Sequence, residues 1–221
     1  MQDILNYSSL FYKADQRLLS KDFVSELFSI SLPKENSISS KNLFSCNDIF
    51  LQPGKEYIID VKKNSYQLIL PTAGTLFYRE SEKEYKPLSN EEILSLNTSC
   101  AHGLLNIYDD KIVNFLQLEF ASDLATIENR VVPLQFQEYN VLNNVFKNVQ
   151  IGIFSGRTKY NYALKAAHGV FAYVINGAFE VQDRLMEHRD GLMLWQIKNI
   201  EFEALSEFAI IMLVDIELNN N

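Results

Sequence analysis

Short runs of apolar residues, separated by turn residues, dominate the chain. The clearest example is VFAYVINGAFEVQD, from Val170 to Asp183, in which two apolar runs meet at Asn176-Gly177. This dipeptide tolerates positive φ and is the strongest short signal for a β-hairpin. Leu116 to Phe120 alternates apolar residues with Gln117 and Glu119. Such a period of two predicts half-buried strands whose polar side chains face water.

Two segments depart from this alternating pattern. Ala209 to Val214 is a continuous apolar run, AIIMLV, which predicts a strand covered on both faces. Between Val141 and Val149, apolar residues follow a helical spacing that Asn143 and Asn144 interrupt. We expect one short helix there, in a connecting segment.

The order of these elements repeats along the chain. A strand, a glycine turn and a second strand occur around Gly74 and again around Gly177, and each time two further apolar stretches follow. Two such copies predict two stacked β-barrels or sandwiches. The patterning is weakest between Ala121 and Asn148. We therefore expect an N-terminal domain over residues 1–125, and a linker with a C-terminal domain over residues 126–221.

Composition and charge narrow the classes of function. The chain has 221 residues, of which 47% are hydrophobic and 22% charged, and its formal net charge is −8. The excess of carboxylates argues against nucleic-acid binding, which needs clustered Lys and Arg. No apolar run approaches the roughly 20 residues that span a membrane, and the N-terminus lacks a basic stretch followed by an apolar one. We therefore expect no nucleic-acid partner, no membrane partner and a cytoplasmic location.

Several segments resemble a known family. FYKADQR, from Phe11 to Arg17, is similar to the I-Y-K-A-D-E-R signature of the pirin-like bicupins, which include bacterial proteins tested as quercetin 2,3-dioxygenases. Leu43 to Tyr57 resembles that family's L-x-V-x-N-D-x-x-x-x-P-G-x-x-F segment, and Asp190-Gly191 matches its G-D-G turn. The resemblance implies an all-β chain of two cupin barrels, each a double-stranded β-helix or jelly roll. It also implies that N-terminal residues pair into the second barrel.

The resemblance further implies where a metal would bind. The family uses an H-x-H pair, a carboxylate or amide, and a later His, and residues i and i+2 of a strand share a face. Counting back from Gly74 places the pair at Asp60 and Lys62, and the next ligand at Tyr66 or Gln67. A lysine is a poor ligand for a divalent metal because its amine is protonated near neutral pH.

The later ligands are also replaced. The family's His-x-Glu falls on Leu104 and Asn106, and only His102, two residues away, supplies a histidine nearby. In the second half, the pair positions fall near Ala163 to Ala166, while His168 and His188 lie elsewhere, His188 in a turn that we expect to be exposed. We therefore expect no metal and no other cofactor.

These replacements favour a metal-free protein that binds a small molecule in the first barrel. The candidate ligand-binding residues are Asp60, Lys62, Gln67 and His102. Two plainer interpretations stay open, because Asp60 and Lys62 also suit a surface strand with ordinary charges, and His102 suits a loop. The sequence does not fix the ligand, the partner or the oligomeric state.

Two enzymatic alternatives also stay open. In one, His102 with Asp60 or Gln67 holds iron, nickel, copper or zinc in the first barrel, and the protein is a quercetinase-type dioxygenase. In the other, Asp60 acts as a base and Lys62 as an electrophile in a metal-independent isomerisation. Cys100, beside His102, is either a reactive thiol or a buried apolar residue.

Overall fold

The structure is a computed structural model that describes residues 8–33, 40–97, 101–121, 129–136, 138–164 and 168–218, apart from the side chain of His168. Within these ranges the regular elements are one 3₁₀ helix, Ala14–Gln16, and a series of strands. None of the described helical segments is long and apolar enough to cross a membrane. The predicted all-β class is confirmed.

The strands are numbered in chain order. They are β1 Ser8–Tyr12, β2 Leu18–Lys21, β3 Ser25–Ser31, β4 Leu43–Leu51, β5 Glu56–Asp60, β6 Ser65–Ala73, β7 Leu76–Glu80, β8 Lys86–Leu88, β9 Glu92–Leu96, β10 Ala101–Leu105, β11 Val113–Ala121, β12 Arg130–Pro133, β13 Leu142–Phe146, β14 Val149–Phe154, β15 Lys159–Ala163, β16 His168–Asn176, β17 Phe179–Val181, β18 Arg184–Met186, β19 Gly191–Trp195, β20 Asn199–Ala204 and β21 Ala209–Glu217.

The chain divides into two compact units, each of which we call a barrel. The first barrel consists of Leu18–Lys34 and Asn42–Leu134, and it contains β2 to β12. The second barrel consists of Met1–Arg17, Glu35–Lys41 and Gln135–Asn221, and it contains β1 and β13 to β21. Compared with the sequence-based ranges of 1–125 and 126–221, residues 1–17 and 35–41 belong to the second barrel, and the first barrel extends to Leu134. The strand β1 pairs with β19 of the second barrel, and β12 pairs with β9 of the first.

The first barrel is built from two antiparallel sheets. Seven strands form one sheet in the order β12-β9-β6-β11-β4-β3-β2, and four form the other in the order β5-β10-β7-β8. Side chains alternate across each strand, so one face of each sheet points inward. The inward side chains form an apolar core of Ile49, Leu51, Ile59, Val61, Ile69, Leu76, Leu88, Leu94, Leu96, Leu104, Val113 and Phe115.

The central strand β11 shows why alternation alone misjudged one side chain. It lies between β6 and β4 and is buried on both faces over most of its length. Phe115 belongs to the barrel core, so Gln117, two residues further on, faces the barrel interior as well, and it is only 8% exposed. The prediction that Gln117 faces water is wrong because this part of the strand has no solvent face.

The second barrel repeats the two-sheet design with a more aromatic core. Its sheets have the orders β1-β19-β16-β21-β14-β13 and β15-β20-β17-β18. Phe154 lies at the centre of an aromatic cluster, with ring centroids 5.1 Å from Phe202 and 5.5 Å from Tyr160. The continuous apolar run in β21 lies between β16 and β14 and is buried on both faces, as predicted.

The glycine turn at Gly177 differs from the predicted hairpin. The strands β16 and β17 do not pair with each other, because β16 belongs to the six-stranded sheet and β17 to the four-stranded sheet. Gly177 has φ 75°, and a Cβ there would lie 2.3 Å from Ser206 Oγ. The turn therefore needs glycine, but it passes the chain from one sheet to the other.

The segment FYKADQR anchors the N-terminus on the second barrel. The Lys13 ammonium lies 2.9 Å from Asp190 Oδ2, and the Ala14 backbone N–H donates to Asp190 Oδ1 at 2.8 Å. Asp190 is 1% exposed and belongs to the Asp190-Gly191 turn that precedes β19. The expectation that N-terminal residues pair into the second barrel is therefore confirmed.

The predicted short helix near Val141 to Val149 is wrong. Its residues form β13 and the start of β14, which pair around a turn at Lys147, where φ is 33°. A shift of register between Asn144 and Phe146 interrupts the alternation, so the consecutive residues Val145 and Phe146 are both buried. This bulge produced an apolar spacing that imitates a helix.

Candidate functional site

The first barrel contains a cavity of about 140 Å³ between its two sheets. Strands β7, β8 and β10 of the four-stranded sheet form one side, and β9 and the start of β12 form the other. The lining residues are Tyr78, Arg79, Glu80, Lys83, Glu84, Lys86, Leu94, Leu96, His102, Asn129 and Arg130. The cavity therefore combines an apolar wall with a polar and mostly basic one.

Strand alternation explains which side chains enter this cavity. In β7, Leu76 lies in the core and Tyr78 packs against it, so Glu80 is the next inward residue. In β10, Leu104 lies in the core, and His102 shares its face. His102 and Glu80 are directly opposed in the antiparallel register of the two strands. An imidazole and a carboxylate therefore face each other across adjacent strands inside the barrel.

The Glu80 carboxylate is held by two neighbours. It forms an ion pair with Lys83 at 2.5 Å, and Asn129 Nδ2 donates to it at 2.9 Å. The amide oxygen of Asn129 in turn accepts from the Asn97 backbone N–H at 2.7 Å. The hydrogen bond from Lys83 is the main reason that the pKa of Glu80 lies below its usual value. Glu80 is therefore an ionised acceptor with a fixed orientation.

His102 is the most deeply buried polar residue of the cavity. Its exposed fraction is 1%. Burial lowers the pKa of His102 below the ordinary value of 6.5, the Glu80 carboxylate acts in the opposite direction, and the Lys83 ammonium lowers it further. At neutral pH the ring is therefore uncharged, so one nitrogen is a donor and the other an acceptor.

A second ion pair lies on the outer face of the four-stranded sheet, behind the cavity. Arg79 Nε donates to Glu56 Oε1 at 3.0 Å, and the Tyr85 hydroxyl donates to the same oxygen. Both charged side chains cross the backbone of Gly103, where a Cβ would lie 2.1 Å from Glu56 Oε1. The glycine beside His102 is therefore required for this crossing.

Asp60 and Lys62 do not point into the barrel, so the inward orientation that the resemblance implied is wrong. Both residues are exposed, whereas the intervening residues Ile59 and Val61 belong to the core. The Lys62 ammonium instead pairs with the Glu119 carboxylate at 2.8 Å. The alternation of side chains along the strand is offset by one residue from the count based on Gly74. Whether either residue binds a ligand stays a prediction.

Gln67 lies inside the barrel but does not line the cavity. It is 4% exposed, and its Oε1 accepts from Gln117 Nε2 at 2.6 Å. Its own Nε2 donates to the backbone oxygen of Asp60 at 3.4 Å. Of the four candidate residues, only His102 reaches the cavity, while Gln67 is engaged with Gln117.

The two positions that replace the family's His-x-Glu have structural roles. Leu104 is fully buried in the core. Asn106 Nδ2 donates to the backbone oxygens of Leu51 at 3.0 Å and Lys111 at 2.7 Å. Its Oδ1 accepts from the Tyr108 backbone N–H at 3.0 Å, so Asn106 holds the loop that follows β10.

The residues of the cavity do not fit a divalent metal. Cupin sites need three or four nitrogen or oxygen ligands that converge, and of the lining residues only Glu80 and His102 are directly opposed. Lys83 adds a positive charge against the only carboxylate of that pair. Among the described residues there is no group of three or more His, Cys, Asp or Glu side chains that could hold a metal ion. Cys100 lies outside the described residues.

The second barrel contains a different polar group. The Tyr162 hydroxyl donates to both oxygens of Asp215, at 2.9 and 3.1 Å, and burial is the main cause that raises the pKa of Tyr162 to about 12. Residues 165–167 and the side chain of His168 lie outside the described part of the chain. Of the positions predicted for the H-x-H pair in the second half, the structure therefore describes only Ala163 and Leu164. His188 is exposed in its turn, as expected.

Of the residues that line the cavity, only His102 was among the candidates from the sequence. Glu80, Lys83 and Asn129 were not. The alternation from Leu76 through Tyr78 would have revealed Glu80 as an inward residue. No comparable signal existed for Asn129, because it comes from the segment with the weakest pattern.

Comparison with known proteins identifies the architecture. A family model described as the quercetinase C-terminal cupin domain matches residues 147–216. No curated protein matches the sequence. Among solved structures, the bacterial pirin YhhW from Escherichia coli, in complex with nickel(II), is 14% identical with a TM-score of 0.77, and the match covers 95% of this chain and 99% of that chain.

Two further structures agree with this result. YhaK from Escherichia coli is 17% identical, with a TM-score of 0.68, over 85% of this chain and 92% of that chain. A quercetin 2,3-dioxygenase from Acinetobacter baumannii is 11% identical, with a TM-score of 0.69, over 96% of this chain and 87% of that chain. At these identities the structures establish the two-barrel cupin fold. The predicted resemblance to the pirin-like bicupins is therefore confirmed by the family match over residues 147–216 and by the two-barrel fold.

Proposed function

We propose that this bicupin binds a small molecule, without a metal, in the cavity of the first barrel. The observation on which the proposal rests is the composition of the polar wall. It contains one histidine and one oriented carboxylate, and that carboxylate is paired with Lys83. Such a wall offers hydrogen-bond donors, acceptors and charge to a ligand, but it lacks the converging ligand set of a cupin metal site.

The size of the cavity also favours a small ligand. Pockets for drug-sized molecules measure roughly 300–1,000 Å³, whereas the described residues enclose about 140 Å³. A three-ring flavonol would require a larger space. An apolar cavity of about 150 Å³ can bind a single benzene ring. We therefore expect a ligand of about that size.

Elemental analysis tests the metal-free part of the proposal. The purified protein is incubated with Fe(II), Ni(II), Cu(II) or Zn(II), separated from free metal and analysed for metal per chain. YhhW, whose structure contains nickel(II), is treated in parallel as the positive control. We expect sub-stoichiometric metal in this protein and retention by YhhW. Stoichiometric metal that disappears in the variant His102→Ala would overturn the proposal.

The alternative is a quercetinase-type dioxygenase, and the family match in the second half favours it. It requires His102 with Asp60 or Gln67 to hold the metal, although Asp60 is exposed and the Gln67 amide is engaged with Gln117. Loss of flavonol absorbance in air, measured with each of the four metals, distinguishes the two proposals. Turnover that requires metal and is abolished by His102→Ala would establish the dioxygenase.

A further inference from the structure

We propose that the ligand of this cavity is an uncharged one-ring carbonyl compound, such as an aromatic ketone or amide, whose carbonyl oxygen accepts a hydrogen bond from the Tyr78 hydroxyl. This inference rests on the proposed function, since it names the chemical class that the same cavity selects and the residue that selects it. It follows from the hydroxyl of the lining tyrosine and from the way the charges around the cavity are engaged.

Tyr78 places a hydroxyl group in the wall of the cavity. It shares the inward face of β7 with Leu76 and Glu80, and it packs against the apolar core. No described residue forms a hydrogen bond with its hydroxyl. When a ligand displaces water from the cavity, this hydroxyl needs a new partner, because burying an unpaired polar group costs free energy. The ligand must therefore supply one.

The hydroxyl of Tyr78 stays protonated at neutral pH. Burial is the main reason that the pKa of Tyr78 lies above its ordinary value of 10.0, and the Glu92 carboxylate raises it further. Both effects disfavour the negatively charged phenolate, and the same carboxylate repels an anionic ligand near the hydroxyl. A protonated phenol donates its O–H, so a carbonyl oxygen of the ligand is the complementary group.

The charges around the cavity are either paired within the protein or exposed to water. Lys83 pairs with Glu80 at 2.5 Å, and Arg79 pairs with Glu56 behind the cavity. The other charged residues of the lining are exposed: Glu84, Lys86 and Arg130. An ionised ligand would therefore give up its hydration without gaining a buried counter-charge, and this cost does not arise for an uncharged ligand.

The remaining wall suits a single apolar ring. Leu94 and Leu96 lie in the core at 1% exposure each, and both line the cavity. The cavity volume of about 140 Å³ is close to that of an apolar cavity that accepts benzene. A compound with one ring therefore places its ring on the leucines and its carbonyl oxygen at Tyr78.

Two matched probes and one variant test the hydrogen bond. Acetophenone and α-methylstyrene are uncharged and have nearly the same shape, but in α-methylstyrene a CH₂ group replaces the carbonyl oxygen. Binding is followed by NMR, through the methyl signals of Leu94 and Leu96 in the full chain. Tyr78→Phe removes only the hydroxyl. We expect it to weaken the binding of acetophenone about fivefold, as for the loss of one hydrogen bond, and to leave the binding of α-methylstyrene unchanged.

Tyr57→Phe is the matched control for this variant. Tyr57 packs against the same apolar core from β5, but it is not among the residues that line the cavity. Loss of its hydroxyl should therefore change the binding of neither probe. Because the Tyr78 hydroxyl has no partner among the described residues, Tyr78→Phe should also leave the free energy of unfolding unchanged, so weaker binding does not reflect a damaged fold.

Benzoate tests the preference for an uncharged ligand. It has nearly the shape of acetophenone but carries a negative charge, and we expect it to bind about tenfold more weakly at neutral pH. Three results would overturn the inference and leave a ligand-binding cavity: equal weakening of both uncharged probes by Tyr78→Phe, no weakening of acetophenone, or tighter binding of benzoate than of acetophenone. If none of the three compounds shifts the leucine methyl signals, the proposed function fails as well.

Discussion

The two barrels share one design but fill their interiors differently. In the second barrel, Phe154 lies at the centre of an aromatic cluster. The buried carboxylate of Asp215 accepts a hydrogen bond from the Tyr162 hydroxyl. In the first barrel, the partly buried carboxylate of Glu80 opposes a histidine and faces a cavity. We therefore expect the second barrel to contribute more to stability, while the proposed binding function belongs to the first.

The largest expected effect concerns the aromatic cluster of the second barrel. Phe154→Ala removes a fully buried ring that packs against Phe202 and Tyr160. We expect the free energy of unfolding to fall by about 3–5 kcal/mol, measured by urea denaturation. Phe208→Ala is the matched control, because that ring is 63% exposed. The control should change stability by no more than about 0.5 kcal/mol.

An equal loss in both variants would contradict the division of roles between the barrels. It would mean that burial of the ring at Phe154 contributes no more than an exposed ring. The same denaturation curves also report the slope against urea, so that a change in the unfolded state can be distinguished from a change in packing.

A smaller effect is expected at the rim of the first barrel. Gly103→Ala would bring a Cβ to 2.1 Å from Glu56 Oε1 and 3.0 Å from Arg79 Nε, so that ion pair must move. We expect a loss of about 1–3 kcal/mol in the free energy of unfolding, measured by urea denaturation.

Gly156→Ala is the control for the glycine test. Its nearest neighbour is Glu207 Oε1 at 3.1 Å, the end of a flexible side chain. We expect almost no change in stability for this variant. If Gly103→Ala were equally silent, the ion pair of Glu56 and Arg79 could move aside without cost to the fold.

The sequence predicted the fold much better than the site. The alternation of apolar and polar residues and the ordered repeat are local patterns, which a sequence shows directly. The segment FYKADQR contacts Asp190, and its resemblance to the family signature led to the expectation that the N-terminus pairs into the second barrel. The predicted inward orientation of Asp60 and Lys62 is wrong because an offset of one residue along a strand turns every side chain to the other face. The sequence gives no direct measure of that offset.

The cavity itself depends on contacts between distant parts of the chain. Asn129 reaches Glu80 from a segment with almost no pattern, and the opposition of His102 to Glu80 follows from the pairing of β10 with β7. Both facts are tertiary, so periodicity along the chain could not supply them. His102 was identified because it lies two residues from the position at which the resemblance implies a histidine ligand.

The smallest expected effect is a pH dependence that distinguishes the two described histidine side chains. Burial lowers the pKa of His102 in the folded protein below 6.5, so the unfolded chain binds this proton first as the pH falls. Stability should therefore decrease as the pH falls below about 6.5 and level off once the folded form is also protonated. Urea denaturation between pH 5 and pH 7 measures this loss against His102→Gln, which should lack it, and against His188→Gln, which should retain it because His188 is exposed. If His102→Gln had the same pH dependence as the unsubstituted protein, burial would not hold the imidazole neutral. The first barrel would then differ from the second in shape but not in having a buried titratable group.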